Sequence, residues 1–216
     1  MSVSNSKTDI VNLALDVIKT ENINNVVIPG FDKAALVANR WFDDVRQTCF
    51  EGFPWNFAST RSAIALDAEA PTFGFDDAYV LPNNYLSLNF IKYWDYPLSQ
   101  WNYQIEDGRI YIDNGGAESL QIGYVFDQSE VVKYSPSFKI YLAYSLADRI
   151  VFKLTGNVAL LSRIKEAKKV AQLEAKANNG KANPPVAFRR SKMLSGRRIY
   201  SGSRSTGLYT GQNGRT

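Results

Sequence analysis

The spacing of apolar residues divides the chain into three regimes. Near the start, Ile10, Leu13, Ala14, Val17 and Ile18 follow the i, i+3, i+4, i+7, i+8 stripe of an amphipathic helix, and Thr8 and Asp9 offer N-cap chemistry just before it. Residues 22 to 30, with "NINN" and "PG", break the stripe. Asp32 then stands as the cap of a second helix carrying Ala34, Val37, Ala38, Trp41, Val45 and Cys49 on one side, ended by Gly52 and Pro54. Directly after it comes "EGFPWNFASTR", which sets Phe53, Trp55 and Phe57 around a proline.

From Arg61 to Gln128 the period changes to short apolar runs separated by turn residues, among them "DDAYVLP", "YLSLNFIKYW", "YQIEDGRIYID" and "SLQIGYVFD". Tyr103 and Ile105 alternate into Asp107-Gly108 and out again through Ile110 and Ile112, a local hairpin signal. Asn114-Gly115-Gly116 marks another turn. The pattern predicts an antiparallel β region of four to six strands that also holds Trp94 and Trp101.

Helical spacing returns at Ser135-Pro136, a serine cap followed by proline at the first helical position. Phe138, Tyr141, Leu142, Leu146, Ile150 and Leu154 continue it to a stop at Gly156. A last helix, rich in Ala, Lys, Glu and Leu, runs from Val158 to near Ala177 on a narrow stripe of Leu161, Ile164, Ala167, Ala171 and Ala175. "NNG" at 178–180 is its expected end. Beyond it lies a segment with two prolines, many Gly and Ser, and no period. Alone, that segment cannot bury enough apolar surface to offset its ordering entropy.

Charge sharpens this division. The 216 residues carry a net charge of +4, yet no acid follows Glu174, and residues 177–216 hold Lys181, Arg189, Arg190, Lys192, Arg197, Arg198, Arg204 and Arg215. A mildly acidic body therefore bears a basic arm, interleaved with Phe188, Met193, Ile199 and Tyr200. The arm reads as a solubilising end, a phosphate-binding strand, or a strap across an acidic or grooved protein with its aromatics as anchors. Eight charges on duplex phosphates would give log affinity against log salt a slope of about −7. No apolar run is long enough for a spanning helix, the N-terminus lacks a signal-peptide pattern, and the single cysteine allows no intrachain disulfide, so a reducing compartment and no membrane are expected.

Candidate chemistry is sparse. With no histidine, the usual general base near neutral pH and every Ser-His or Cys-His pair are missing. Cys49 lies on an apolar helix side and reads as a buried structural thiol. The carboxylate neighbours Asp43-Asp44, Asp76-Asp77 and Glu106-Asp107 could bind Mg²⁺ or serve a glycosidase, but read more simply as solvated faces and turns. Phosphate-cradling glycine motifs are absent. The expectation is no enzyme, no cofactor and no metal.

Taken in order, several stretches are similar to one family. "IVNLALDVI", then Trp41, Val45 and Arg46, then the corner Trp55, Asn56, Phe57 and Ala58 resemble the opening of the tail tubular protein A family, the head-to-tail adaptors of short-tailed phages. Gly74, Phe75, Ala78, Tyr79, Leu81, Pro82 and Tyr85 look like the family's next segment. Tyr103, Ile105, Glu106 and Ile110 resemble its hairpin, "YVFD" (Tyr124 to Asp127) its strand, and Phe138, Tyr141, Leu142, Ala143, Leu146 and Ala147 its following helix. The likeness covers about residues 8 to 177 and leaves the basic arm without a counterpart.

The resulting expectation is an α+β fold: a helical bundle built from the N- and C-terminal helices, an inserted antiparallel β subdomain, and an extended C-terminal arm. Its parts are 1–60, 61–134, 135–178 and 179–216. What the resemblance implies is a virion protein at the head–tail junction, made in the host cytoplasm. It would form a homo-oligomeric ring of twelve copies below the portal protein, meet the next tail or nozzle protein, and pass phage DNA through its lumen. Trp41, Trp55, Asn56 and Phe57 are the expected structural corner, locking helices to the β subdomain. Phe188, Arg189, Arg190, Arg197, Arg198, Ile199 and Tyr200 are candidate portal contacts, with the last helix beside them and the β subdomain toward neighbouring subunits or the tail. The alternative is a non-specific nucleic-acid-binding protein that uses the same arm.

Overall fold

Ser6, two residues before the Thr8 that the sequence suggests, caps α1 (Lys7–Ile18). Its hydroxyl accepts from the Asp9 N–H at 3.1 Å, and the Asp9 carboxylate accepts from the Ser6 N–H at 3.0 Å. Asp9 is thus the far half of a capping box rather than the cap itself. Thr8 is also spent elsewhere, accepting from the Val26 N–H at 3.3 Å. The computed structural model describes residues 6–27, 32–69, 71–92 and 102–182.

In the loop after α1, the Asn12 side chain brackets the Ile23 backbone on both its N–H and C=O, at 2.9 and 3.0 Å, seating Ile23 and Val26 in the core. Asp32 caps α2 (Lys33–Glu51) as expected, accepting from the Ala34 and Ala35 N–H groups. A short 3₁₀ turn, Asn56–Ala58, leads into the sheets.

Among the described residues six strands follow: β1 (Ser59–Ala65), β2 (Asp77–Val80), β3 (Tyr85–Ile91), β4 (Tyr103–Glu106), β5 (Arg109–Ile112) and β6 (Ser119–Phe126). They form two antiparallel three-stranded sheets, ordered β1-β6-β3 and β2-β5-β4. At the β4–β5 turn Asp107 (φ 44°) and Gly108 (φ 69°) are both left-handed, as a two-residue hairpin of primed type requires. A Leu66–Tyr79 bridge links the sheets. They share one core, which includes Ile64, Tyr79, Ile110, Ile112, Leu120 and Ile122.

The return to helix matches its cap: the Ser135 hydroxyl accepts from the Phe138 N–H, Pro136 begins α3 (Pro136–Thr155), and Gly156 ends it at φ 65°. α4 (Val158–Ala182) then runs through "NNG" rather than stopping there. The asparagines that should have broken the helix are otherwise engaged: Asn179 makes tertiary bonds to the Pro54–Asn56 corner, and the Asn178 side chain accepts from Lys181 one turn on. Those bonds outweigh the roughly 1 kcal/mol that an internal glycine costs. α3 packs against α1, α2 and α4, so helices from both ends of the sequence share a core. The chain is α+β, with the sheets inserted between two helical halves. By contacts it divides into Met1–Asn183 and Pro184–Thr216, the latter outside the described residues.

Candidate assembly surfaces

The chain leaves the helices at Trp55–Ala58 and comes back at Tyr134–Phe138, and seven rings gather at this neck. Phe138 is the hub: Phe50 stacks on it at 5.3 Å, Trp55 meets it edge-on at 4.9 Å, and Phe57, Tyr134 and Tyr141 lie at 5.0, 5.3 and 6.1 Å. Phe53 covers Trp55 at 4.9 Å. Trp55 is fully buried, and its indole N–H donates to the Cys49 carbonyl at 2.9 Å, so its one polar atom is satisfied. Three of the four expected corner residues, Trp55, Asn56 and Phe57, are brought together here. Trp41 is not among them: it sits half-buried against the helical core further back on α2 and enters none of the described ring contacts of the neck.

Two polar clasps close the neck. The Asn56 N–H and side-chain amide bond the side chain and backbone carbonyl of Asn179 at 2.9 and 3.0 Å, tying the far end of α4 to the corner. On the other side Arg46, almost wholly buried, donates to Asp43 and to Asp127 just beyond β6, both at 2.8 Å. Gln47 adds a bond to Asp127 at 2.9 Å, and Lys7 pairs with Asp43 at 3.1 Å. The Arg46–Asp127 tie spans 81 residues. Both residues stood within the quoted stretches, but nothing local marks them as partners.

Of the chemically suggestive residues, Cys49 is buried beside Ser145 and Tyr141, and burial pushes its thiol up, away from the reactive thiolate. Burial likewise raises Tyr134 and Tyr141, and raises Tyr85 to about 12. Asp77 is spent on the backbone N–H groups of Asn114 and Gly116, fixing the turn before β6. Asp44 is exposed and Asp107 forms the hairpin turn. Among the described residues, no group of three or more His, Cys, Asp or Glu is placed to hold a metal ion, and no helix is long and apolar enough to cross a membrane.

Two outward surfaces contrast sharply. α4 buries only Ile164, Ala171 and Ala175, and turns a row of Glu166, Val170, Leu173 and Ala177 outward, with Val170 56% and Leu173 68% exposed. Lys165 and Lys169 flank that row on one side. The whole helix carries Arg163, Lys165, Lys168, Lys169, Lys176 and Lys181 against Glu166 and Glu174. Two of these are drawn inward: Lys168 to Asp148 at 3.0 Å, and Lys176 over the Phe53 ring at 5.2 Å from its centroid.

The second sheet has the opposite sign. Segments 66–80 and 103–119 hold Asp67, Glu69, Asp76, Asp77, Glu106, Asp107, Asp113 and Glu118 against Arg109 alone. Alternation along the strands puts Val80, Arg109 and Glu106 in one cross-strand row, and Ala78, Tyr111 and Gln104 in the next, on the face away from Tyr79, Ile110 and Ile112. Glu69 and the 71–75 segment border that face to make an open groove with Glu69, Phe73, Phe75, Glu106 and Tyr111 in its lining. Phe73, 88% exposed, stands on it, and Phe75 lies 6.5 Å from Tyr111. Arg109 already faces Asp67, with Glu69 and Asp107 at 3.9 and 3.6 Å. A backbone N–H from Glu69 and the Arg109 guanidinium hold the Asp67 carboxyl below its usual range.

The candidate portal contacts Phe188, Arg189, Arg190, Arg197, Arg198, Ile199 and Tyr200, like Trp94 and Trp101, lie outside the described residues. Compared with known proteins, the chain matches no family model and no curated protein.

Proposed function

We propose that this protein is a structural head-to-tail adaptor of a phage virion, repeating as a ring below the portal, joining it to the tail and leaving a channel for DNA. The observation that carries the reading is the neck. Stretches whose order resembles the tail tubular protein A family, scattered from Arg46 to Tyr141, converge there on one another through Trp55–Phe138, Phe57–Phe138 and Arg46–Asp127. A chain whose two halves are clamped by seven rings and two polar clasps suits a part that must transmit force without changing shape. Its role would be assembly and channel formation, with no bond made or broken.

The arm supplies the portal contact in this reading, with its arginines as charge partners and Phe188, Ile199 and Tyr200 as anchors. Both cores lie within residues 6–182, so deleting residues 183–216 should leave the thermal melt in place and abolish co-sedimentation with a portal ring. A truncated chain that still attaches would refute the strap. The nucleic-acid reading predicts instead that the full chain retains duplex DNA with a steep salt dependence, whereas a strap held by apolar anchors loses its partner gently as salt rises.

A further inference from the structure

We infer that the outer face of α4 docks into the second sheet's groove on a neighbouring copy of the same chain, making the contact between copies heterologous and electrostatic. The inference rests on the ring reading and names the two surfaces that build it.

Among the described residues α4 packs chiefly against α3, with Lys176 and Asn179 meeting the corner near its far end, and its outer side carries Val170 and Leu173 with Lys165 and Lys169 along one edge. Val170 and Leu173 are large apolar side chains left uncovered by the described residues, on a helix whose buried contacts are mainly alanines. The groove of the second sheet is the reverse image: Phe73, Phe75 and Tyr111 give it an apolar floor and lip, while Glu69 and Glu106 give it an acidic rim. Seating Leu173 and Val170 between those rings would remove apolar area from water on both copies and bring Lys165 and Lys169 to the rim carboxylates. Arg109, the one cation there, is already held among carboxylates and leaves the rim negative.

The two faces belong to different elements with separate cores, so each copy presents one of each. A patch that meets a different patch generates a closed ring when the rotation closes, and not a twofold pair. The sequence alone gave the last helix to the portal; its surface chemistry fits a sister copy better, leaving the arm for the portal.

The test uses charge swaps in the full chain, read by sedimentation velocity at matched low and moderate salt, alone and with a portal ring. Lys165→Glu/Lys169→Glu and Glu69→Lys/Glu106→Lys should each weaken assembly by at least about tenfold, since like charges then face each other. Mixed together, the two variants should assemble again, because each supplies the complement of the other. Circular dichroism melts near wild type would show that both fold. If the wild type assembles and both swaps assemble equally well alone, or the mixture does not recover, the assigned interface is wrong while the ring stands. Should the wild type assemble neither alone nor on the portal, the adaptor reading fails with it. Where the wild type assembles alone, reversing Arg189, Arg190, Arg197 and Arg198 to Glu should leave that portal-free assembly unchanged while weakening attachment to the portal; loss of the portal-free assembly would mean that an arm, not α4, fills the groove.

Discussion

α3 and α4 lie side by side and are of similar length, 20 and 25 residues, yet they are built for opposite ends. α3 buries ten side chains, among them Phe138, Tyr141, Leu142, Leu146 and Ile150, and has neighbours on three sides. α4 buries three, two of them alanines, and leaves Val158, Val170 and Leu173 in solvent. Propensity accounts for α4 as a helix, since Ala, Lys, Glu and Leu need little tertiary help. Packing accounts for α3, whose aromatic and β-branched content makes it a poorer helix in isolation. One helix is the keystone of the fold and the other a surface offered outward.

The comparison breaks most clearly at Phe138. Its replacement by alanine removes the hub of the ring cluster and should cost about 3–5 kcal/mol in urea unfolding, whereas Leu173→Ala on α4 should stay within about 0.5 kcal/mol. Asp127→Ala comes next. It strands Arg46 in a nearly closed site and should cost about 2–3 kcal/mol, with Asp43 retaining part of the guanidinium's pairing. A measured cost near zero would mean that the helix-to-sheet tie is ornamental.

Asn56→Ala should cost about 1–2 kcal/mol by freeing Asn179, and the loss should show as faster amide exchange over the last turns of α4 before the rest of the helix. Smaller still, Gly180→Ala should stabilise by about 0.5 kcal/mol, because the helix continues through that position with open space around it.

Titration separates the keystone helix from the acidic sheet. The tyrosines at α3 and at the start of β3 have raised pKa values, so their protonated forms favour the folded state. That contribution is complete below pH 10 and is lost as pH rises toward and beyond about 12, the value for Tyr85. Asp67 works in the other direction: its lowered pKa stabilises the fold above the normal carboxylate range and is lost as pH falls through it. Alkaline unfolding followed by tyrosine absorbance should therefore loosen the neck, while Asp67's contribution to the second sheet survives mild acid and is fully lost only below the normal carboxylate range.

What could be read from the chain was local. Asp32, Ser135-Pro136, Gly156 and Asp107-Gly108 each carry their instruction within four residues, and each behaves as expected. The failures also have physical causes. "NNG" signals a stop only where its side chains turn back on their own backbone, and here Asn179 is recruited by a corner 123 residues away. Ser6 outcompetes Thr8 as cap because Asp9 can complete a box with it. The splitting of six strands into two sheets, and the Arg46–Asp127 tie, depend on pairings across long loops that no window reveals. The aromatic corner was legible as a plug; that its hub is Phe138, 83 positions after Trp55, was not. The outward faces of α4 and the second sheet were missed because each segment looked ordinary alone, and their meaning lies in the opposition of their charges.

The adaptor account is tested most directly by mass. Native mass spectrometry of the full chain alone, and then mixed with a portal ring, should show a 24.2 kDa subunit adding to the portal as a complete set of copies, twelve in the ring expected here, with few partly filled species between. A chain that leaves the portal mass unchanged, or adds one or two copies without closing a ring, would contradict it.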